Sequence, residues 1–187
     1  MNKEKSNKRT GKKIACSAKE CAYLAVFVAL VIAAQLVLSV VPSVEIVTVL
    51  FCSYAFTFGL KRGMAAATAF SLIRQFIFGV YPTVLILYLI YFNLLATSFA
   101  LLGKSIKKPL KWLAIIVAIA CVCTVLFTMI DNILTPLWYG YSKKAAILYF
   151  KASLPFMGVQ VINAALSVGV LFFPLYRAFS LIKRTLR

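Results

Sequence analysis

Apolar residues run through this chain in six long stretches separated by short polar or glycine- and proline-containing segments. A bilayer core needs roughly 20 apolar residues of helix, with tolerance from about 17 to 25. Against that requirement the stretches 21–41, 45–60, 63–79, 82–102, 113–137 and 154–176 predict six transmembrane helices, the second and third fitting tightly. The breaks carry turn-forming residues: Pro42-Ser43, then Lys61-Arg62-Gly63, then Gly79 to Pro82, then Gly103 to Lys111. Such short connections imply that helices adjacent in sequence pack antiparallel. The expected fold is an all-α integral membrane protein, a six-helix bundle over 20–177 between basic tails at 1–19 and 178–187. The first stretch is longer than a signal-peptide core and leads to Val40-Val41-Pro42-Ser43 rather than a small-x-small cleavage site, so it is expected to stay in the protein.

Composition strengthens this reading. Hydrophobic residues make up 63% of the chain and charged ones 13%, with a mean hydropathy of +0.96. A soluble domain runs near half apolar and a quarter charged, so the excess needs lipid to face. The formal charge of +17 would suggest nucleic acid in a soluble protein, but the basic residues lie almost entirely between apolar runs and form no aromatic-interleaved face. A nucleic-acid partner is therefore not expected. Applied to alternate connections, the positive-inside rule gives an orientation. With the N-terminus inside, the inner segments hold the N-terminal lysines and arginine, Lys61 and Arg62, Lys104 to Lys111, and Arg177 to Arg187. The outer connections hold only Lys143, Lys144 and Lys151, and Arg74 alone falls within a span. Both termini are thus expected on the cytoplasmic side.

Catalytic and metal chemistry find little material. The five cysteines lack the paired spacing of a zinc site and lie mostly in apolar runs, and the chain has no histidine. No Gly-x-x-x-x-Gly-Lys-Ser/Thr loop occurs, so any ATP hydrolysis must come from partners. The chain is expected to be no enzyme and to hold no cofactor or metal.

Polar residues inside spans are costly and are by default candidates for function. Arg74 and Asp131 are the ionisable ones, with Glu45 at the start of the second span. Gln35, Gln75, Asn93, Asn132, Gln160 and Asn163 join them, with Tyr88, Tyr91, Trp138 and Tyr139 nearby. Gln35, Arg74 and Asp131 lie within two turns of their helices' outer ends, and Gln160 and Asn163 follow soon after the sixth span enters from outside. Only Asn93 falls near mid-membrane. Polar groups gathered at one depth predict a water-accessible cavity open outward and closed below. Two structural readings stand beside this: Arg74 and Asp131 neutralising each other, and the amides acting as glue between helices. Trp138 and Tyr139 also suit an aromatic belt. The outer segment 138–153, with three lysines among apolar residues, suits a lid or an interfacial helix.

On the first span, Ala25, Ala29 and Ala33 recur every four residues and form one helix face that another backbone can approach closely. Spacing alone serves equally for packing inside the bundle or for contact with a separate subunit.

The six spans, cytoplasmic termini, alanine stripe and outward polar cluster together resemble the S components of energy-coupling factor (ECF) vitamin transporters, over nearly the whole chain. Two stretches carry the resemblance further, Pro42-Ser43-Val44-Glu45-Ile46-Val47-Thr48 leading to Gly59-Leu60-Lys61-Arg62-Gly63, and Arg74-Gln75-Phe76-Ile77-Phe78-Gly79-Val80-Tyr81-Pro82 leading to Tyr88-Leu89-Ile90-Tyr91-Phe92-Asn93. They are similar to that family's second to fourth helices. The resemblance implies a multi-pass subunit of a bacterial cell membrane that captures a vitamin or related micronutrient from outside. It further implies a transmembrane scaffold subunit and two cytoplasmic ATPases as partners, with toppling of the subunit in the membrane to release cargo. Family S components meet the scaffold through an alanine stripe on the first helix, which falls here on Ala25, Ala29 and Ala33. The family's outward pocket falls here on Arg74, Asp131, Asn132, Gln160, Asn163 and the 138–153 segment with Trp138 and Tyr139, and Gln75, Tyr88 and Asn93 join them as candidate substrate-binding residues.

Other classes fit less well. A membrane-embedded enzyme needs acids or bases facing one another near a surface. A self-contained small transporter or channel needs internal repeats or a continuous polar path, and the inner halves of the spans are almost wholly apolar. A non-transport membrane protein is the remaining alternative. As to cargo, Arg74 and the outer lysines suit an anionic group and the aromatic residues suit a ring. A pairing of Arg74 with Asp131 would instead favour a neutral ligand.

Overall fold

The structure, a computed structural model, describes residues 18–38, 46–106 and 109–185. Among them there are only helices: α1 (Ala18–Leu38), α2 (Ile46–Phe58), α3 (Leu60–Phe78), α4 (Pro82–Ser105), a short 3-10 turn (Pro109–Trp112), α5 (Leu113–Trp138) and α6 (Lys143–Thr185). Four stretches are long and apolar enough to cross a bilayer: α1, α4, α5 together with the turn before it, and α6. The other two helices fall short for different reasons. The described part of α2 has 13 residues, about 20 Å at 1.5 Å per residue. α3 has 19 residues but carries Lys61, Arg62 and Arg74. The exterior is that of a protein surrounded by lipid: Phe76 is 85% exposed and Leu137 77%. A water-soluble chain would not leave so much large apolar surface uncovered.

α2 is the axis of the bundle. Every residue from Thr48 to Thr57 is buried, because α1, α3, α4 and α6 all pack against it. Its sequence permits this, since it has no charged residue and its hydroxyls bond within the helix: Ser53 donates to the Val49 carbonyl and Thr57 to that of Ser53, both at 2.8 Å. Rings seal the surroundings. Phe27 stacks on Tyr54 at 3.9 Å between centroids, Phe51 meets Phe70 and Phe92, and Phe56 meets Phe172 edge-on.

Consecutive helices alternate in direction. The start of α1 meets the start of α3 through the Glu20–Arg62 ion pair, and the end of α6 meets the end of α2 where the Lys183 ammonium donates to the Thr57 carbonyl. Ala18 and Thr185 therefore lie at one end of the bundle, together with Lys61, Arg62, Lys104 and Arg184. This basic end matches the clustering of charge read from the sequence.

Three boundaries differ from the sequence reading. The second and third helices break at Gly59 rather than at Lys61-Arg62, because Gly59 adopts φ +84° and reverses the chain in one residue; Lys61 and Arg62 become the first turn of α3. The fourth helix continues to Ser105. The 138–153 segment is a turn at 139–142 followed by helix, and that helix runs unbroken to Thr185, past the expected end at 176 and into the basic tail. Ser142 starts it, its hydroxyl accepting from the Ala145 amide at 3.3 Å. Glu45 lies outside the described residues.

Gly103 fixes the crossing of α4 over α2. A β-carbon there would overlap the Phe56 carbonyl, which is main chain and cannot rotate away. Gly103→Ala is expected to destabilise the bundle by about 1–3 kcal/mol, the usual cost of overpacking. A lowered melting temperature of the detergent-purified variant would show it, and an unchanged one would place the two helices farther apart.

Candidate functional site

The end opposite the basic one holds the polar residues, in two groups joined by aromatic rings. The first spans α1, α3 and α4. The Arg74 guanidinium donates through Nε to Gln35 Oε1 at 3.0 Å, and Gln35 Nε2 donates to the Tyr88 hydroxyl at 3.4 Å. The guanidinium also lies over two rings, 4.7 Å from the centroid of Phe78 and 4.4 Å from that of Tyr88. Such ring faces attract a guanidinium through their negative quadrupole. Among the described residues Arg74 makes no ion pair, so Arg74 and Asp131 do not neutralise each other.

The second group lies between α5 and α6, around a cavity of about 250 Å3. Phe127, Thr128, Asp131, Tyr149, Ala152, Ser153, Phe156, Met157 and Gln160 line it. Both oxygens of Asp131 are occupied: Oδ1 accepts from the Thr135 hydroxyl and Oδ2 from that of Tyr149, each at 2.8 Å. Each carboxylate oxygen has a second lone pair, so Asp131 retains capacity to accept from a ligand. Thr128 donates to Gln160 Oε1 at 3.3 Å, which leaves the Gln160 amide nitrogen as a donor at the cavity wall. The Tyr149 and Thr135 bonds orient the carboxylate, and Phe127, Phe156 and Met157 supply apolar walls suited to a flat ring.

Phe127 links the groups. It lines the cavity and packs against Tyr91 at 4.8 Å and Tyr88 at 6.1 Å, with Tyr88 lying beneath Arg74.

The sequence-derived candidates divide accordingly. Asp131 and Gln160 line the cavity, and Arg74 and Tyr88 form the adjoining group. Asn132 borders it: its Nδ2 donates to Ser153 Oγ at 2.8 Å, and its buried Oδ1 has no partner among the described residues. Gln75 turns inward instead. It is 3% exposed, its Oε1 accepts the Tyr81 amide at 3.3 Å to close the α3–α4 turn, and its Nε2 has no partner among the described residues. Asn93 joins α3 to α4, lying 3.3 Å from the Thr68 hydroxyl and donating to the Leu89 carbonyl of its own helix. Asn163 sits one turn nearer the basic end than Gln160 and outside the cavity lining. Trp138 and Tyr139 are 53% and 57% exposed at the end of α5 and do not reach the cavity. On α1 the buried face is Phe27, Val28, Val31 and Ile32, while Ala25, Ala29 and Ala33 are all exposed. The alanine stripe thus faces away from the bundle.

Sequence reasoning did not single out Tyr149, Thr128, Thr135 or Ser153. Tyr149 and Ser153 lie in what reads as a loop. Thr128, three residues before Asp131, and Thr135, four after it, share one face of the same helix, and that is the signal that was available.

An all-helical chain with several apolar spans and an uncovered apolar exterior has the build of an integral membrane protein. No protein-family model, no curated protein and no solved structure matches the chain.

Proposed function

We propose that this chain is the substrate-capturing S component of an ECF-type importer in a bacterial cell membrane. In this reading all six helices cross the bilayer, with the basic end in the cytoplasm and the α5–α6 cavity facing outward. The observation that carries it is the cavity between α5 and α6, walled by Phe127 and Phe156 and holding Asp131 and Gln160, at the end opposite the basic cluster. The exposed alanine stripe on α1 supports the reading from the other side of the molecule, as a flat face against which a scaffold helix can lie. The cargo is a vitamin or related micronutrient with a flat ring between Phe127 and Phe156. It presents hydrogen-bond donors to Asp131 and an acceptor to Gln160, and Arg74 balances any anionic substituent that reaches past Phe127. Energy comes from two cytoplasmic ATPases acting through the scaffold.

Cells expressing the chain with an ECF scaffold and its ATPases are expected to accumulate one member of a labelled vitamin panel, and a hydrolysis-dead ATPase should abolish that accumulation. Uptake that persists without the ATPases would instead make this a self-contained transporter.

A further inference from the structure

Cations from three helices converge on a second pocket, of about 510 Å3, at the basic end. Lys61 and Arg62 come from the first turn of α3, Lys104 from the last turn of α4, and Lys183 from the last turns of α6. Phe58 and Leu60 form its apolar side. Positive charge is in clear excess there: Glu20 pairs with Arg62, and among the described residues neither Lys61 nor Lys104 is in an ion pair. The placement follows from Gly59, whose positive φ turns the chain so sharply that Lys61 and Arg62 lie beside the end of α2. Lys183 is steered to the same spot by its bond to the Thr57 carbonyl. Like charges gathered from separate elements repel unless an anion lies among them. We propose that this pocket binds the phosphate of an anionic phospholipid headgroup. The apolar side and the position at the helix ends favour a lipid over a free anion, because a headgroup at that level lets its acyl chains run down the uncovered apolar exterior.

The test is native mass spectrometry of the full chain in detergent with equimolar phosphatidylglycerol and phosphatidylcholine. Phosphatidylglycerol is expected to be retained preferentially, and the double variant Lys61→Gln, Lys104→Gln should lower its retention about tenfold or more. A control variant, Lys143→Gln with Lys144→Gln, removes the same charge from the far end and should leave retention unchanged. Equal retention of the two lipids, or an equal loss in both variants, would overturn the pocket assignment. Displacement of the lipid by inorganic phosphate, beyond the effect of chloride at matched ionic strength, would overturn the lipid as occupant. None of these readouts involves cargo, so the outcome is independent of the transport reading.

Discussion

On the proposed reading, Asp131→Asn is expected to lower the affinity of the chain for its cargo by about tenfold to a hundredfold. A hydrogen bond to a charged group contributes about 1.5–3 kcal/mol, and each 1.4 kcal/mol is tenfold in affinity. The substitution keeps the size of the side chain and a carbonyl to accept from Thr135 or Tyr149, while removing the charge and placing a donor where an acceptor stood. Isothermal titration against the cargo, beside a melting curve of the ligand-free variant, checks it. A matching melting temperature with weakened binding assigns Asp131 to the ligand. Unchanged affinity would move the site away from α5 and α6, and collapse of the fold would make Asp131 a structural group holding Tyr149 and the first turns of α6.

The second large effect concerns a surface that does not touch the cavity. If the chain is the proposed S component, Ala29→Trp is expected to abolish uptake with the scaffold and ATPases and to leave cargo binding by the isolated chain unchanged. Ala29 is exposed on the side of α1 opposite Phe27, Val28, Val31 and Ile32, so an indole there disturbs no packing within the bundle. It does stand between α1 and any helix that approaches the small-residue face closely. The pair of measurements is an uptake assay on cells and a binding assay on purified protein. Loss of both together would contradict the separation of capture from partner contact, and full retention of uptake would place the scaffold elsewhere.

Much of this architecture is legible in the sequence, for reasons that residues make plain. The four unmistakable helices are those whose apolar runs exceed bilayer thickness. The clustering of charge at one end follows from the lysines and arginines between runs, since a charge in lipid is costly enough to dictate where chain ends lie. The inward break at Gly59 is harder to see. Lys61-Arg62 looks like the connection because charged residues usually mark one, yet a glycine with positive φ turns the chain two residues earlier. The 138–153 segment is half legible. Its lysines among apolar residues suit a lid or an interfacial helix, and Ser142 does start a helix at once, with Tyr149 bonded to Asp131. The Trp138 to Gly140 break hides that this helix runs on into the sixth span.

The candidate site is legible as a list of residues and not as a set of pairings. Depth along each helix groups Arg74, Asp131 and Gln160 toward one end of the bundle. Which of them face one another depends on helix rotation, which periodicity leaves loose in spans that are apolar on nearly every face. Hence Arg74 and Asp131, whose mutual pairing is one of the readings the sequence leaves open, have separate partners: one rests on Phe78, Tyr88 and Gln35, the other on Thr135 and Tyr149. For the same reason Gln75, next to Arg74 in sequence, points into the protein and closes a turn. The alanine stripe is the converse case. Its spacing was equally suited to the inside or the outside of the bundle, and the large residues Phe27, Val28, Val31 and Ile32 occupy the inner face and leave the alanines outside.

A capture subunit binds its small organic cargo by itself, here at the end opposite the basic cluster. Native mass spectrometry of the detergent-purified protein, followed by thermal-shift screening against a vitamin panel, tests it most directly. A ligand that binds only the folded state stabilises it by mass action, by about 2.7 kcal/mol at a hundred times its dissociation constant. One vitamin-sized adduct or one strongly stabilising panel member is expected, with that stabilisation lost in Asp131→Asn. A stabilising ligand whose effect is untouched by Asp131→Asn, or no adduct and no stabilisation by any member of the panel, would contradict it.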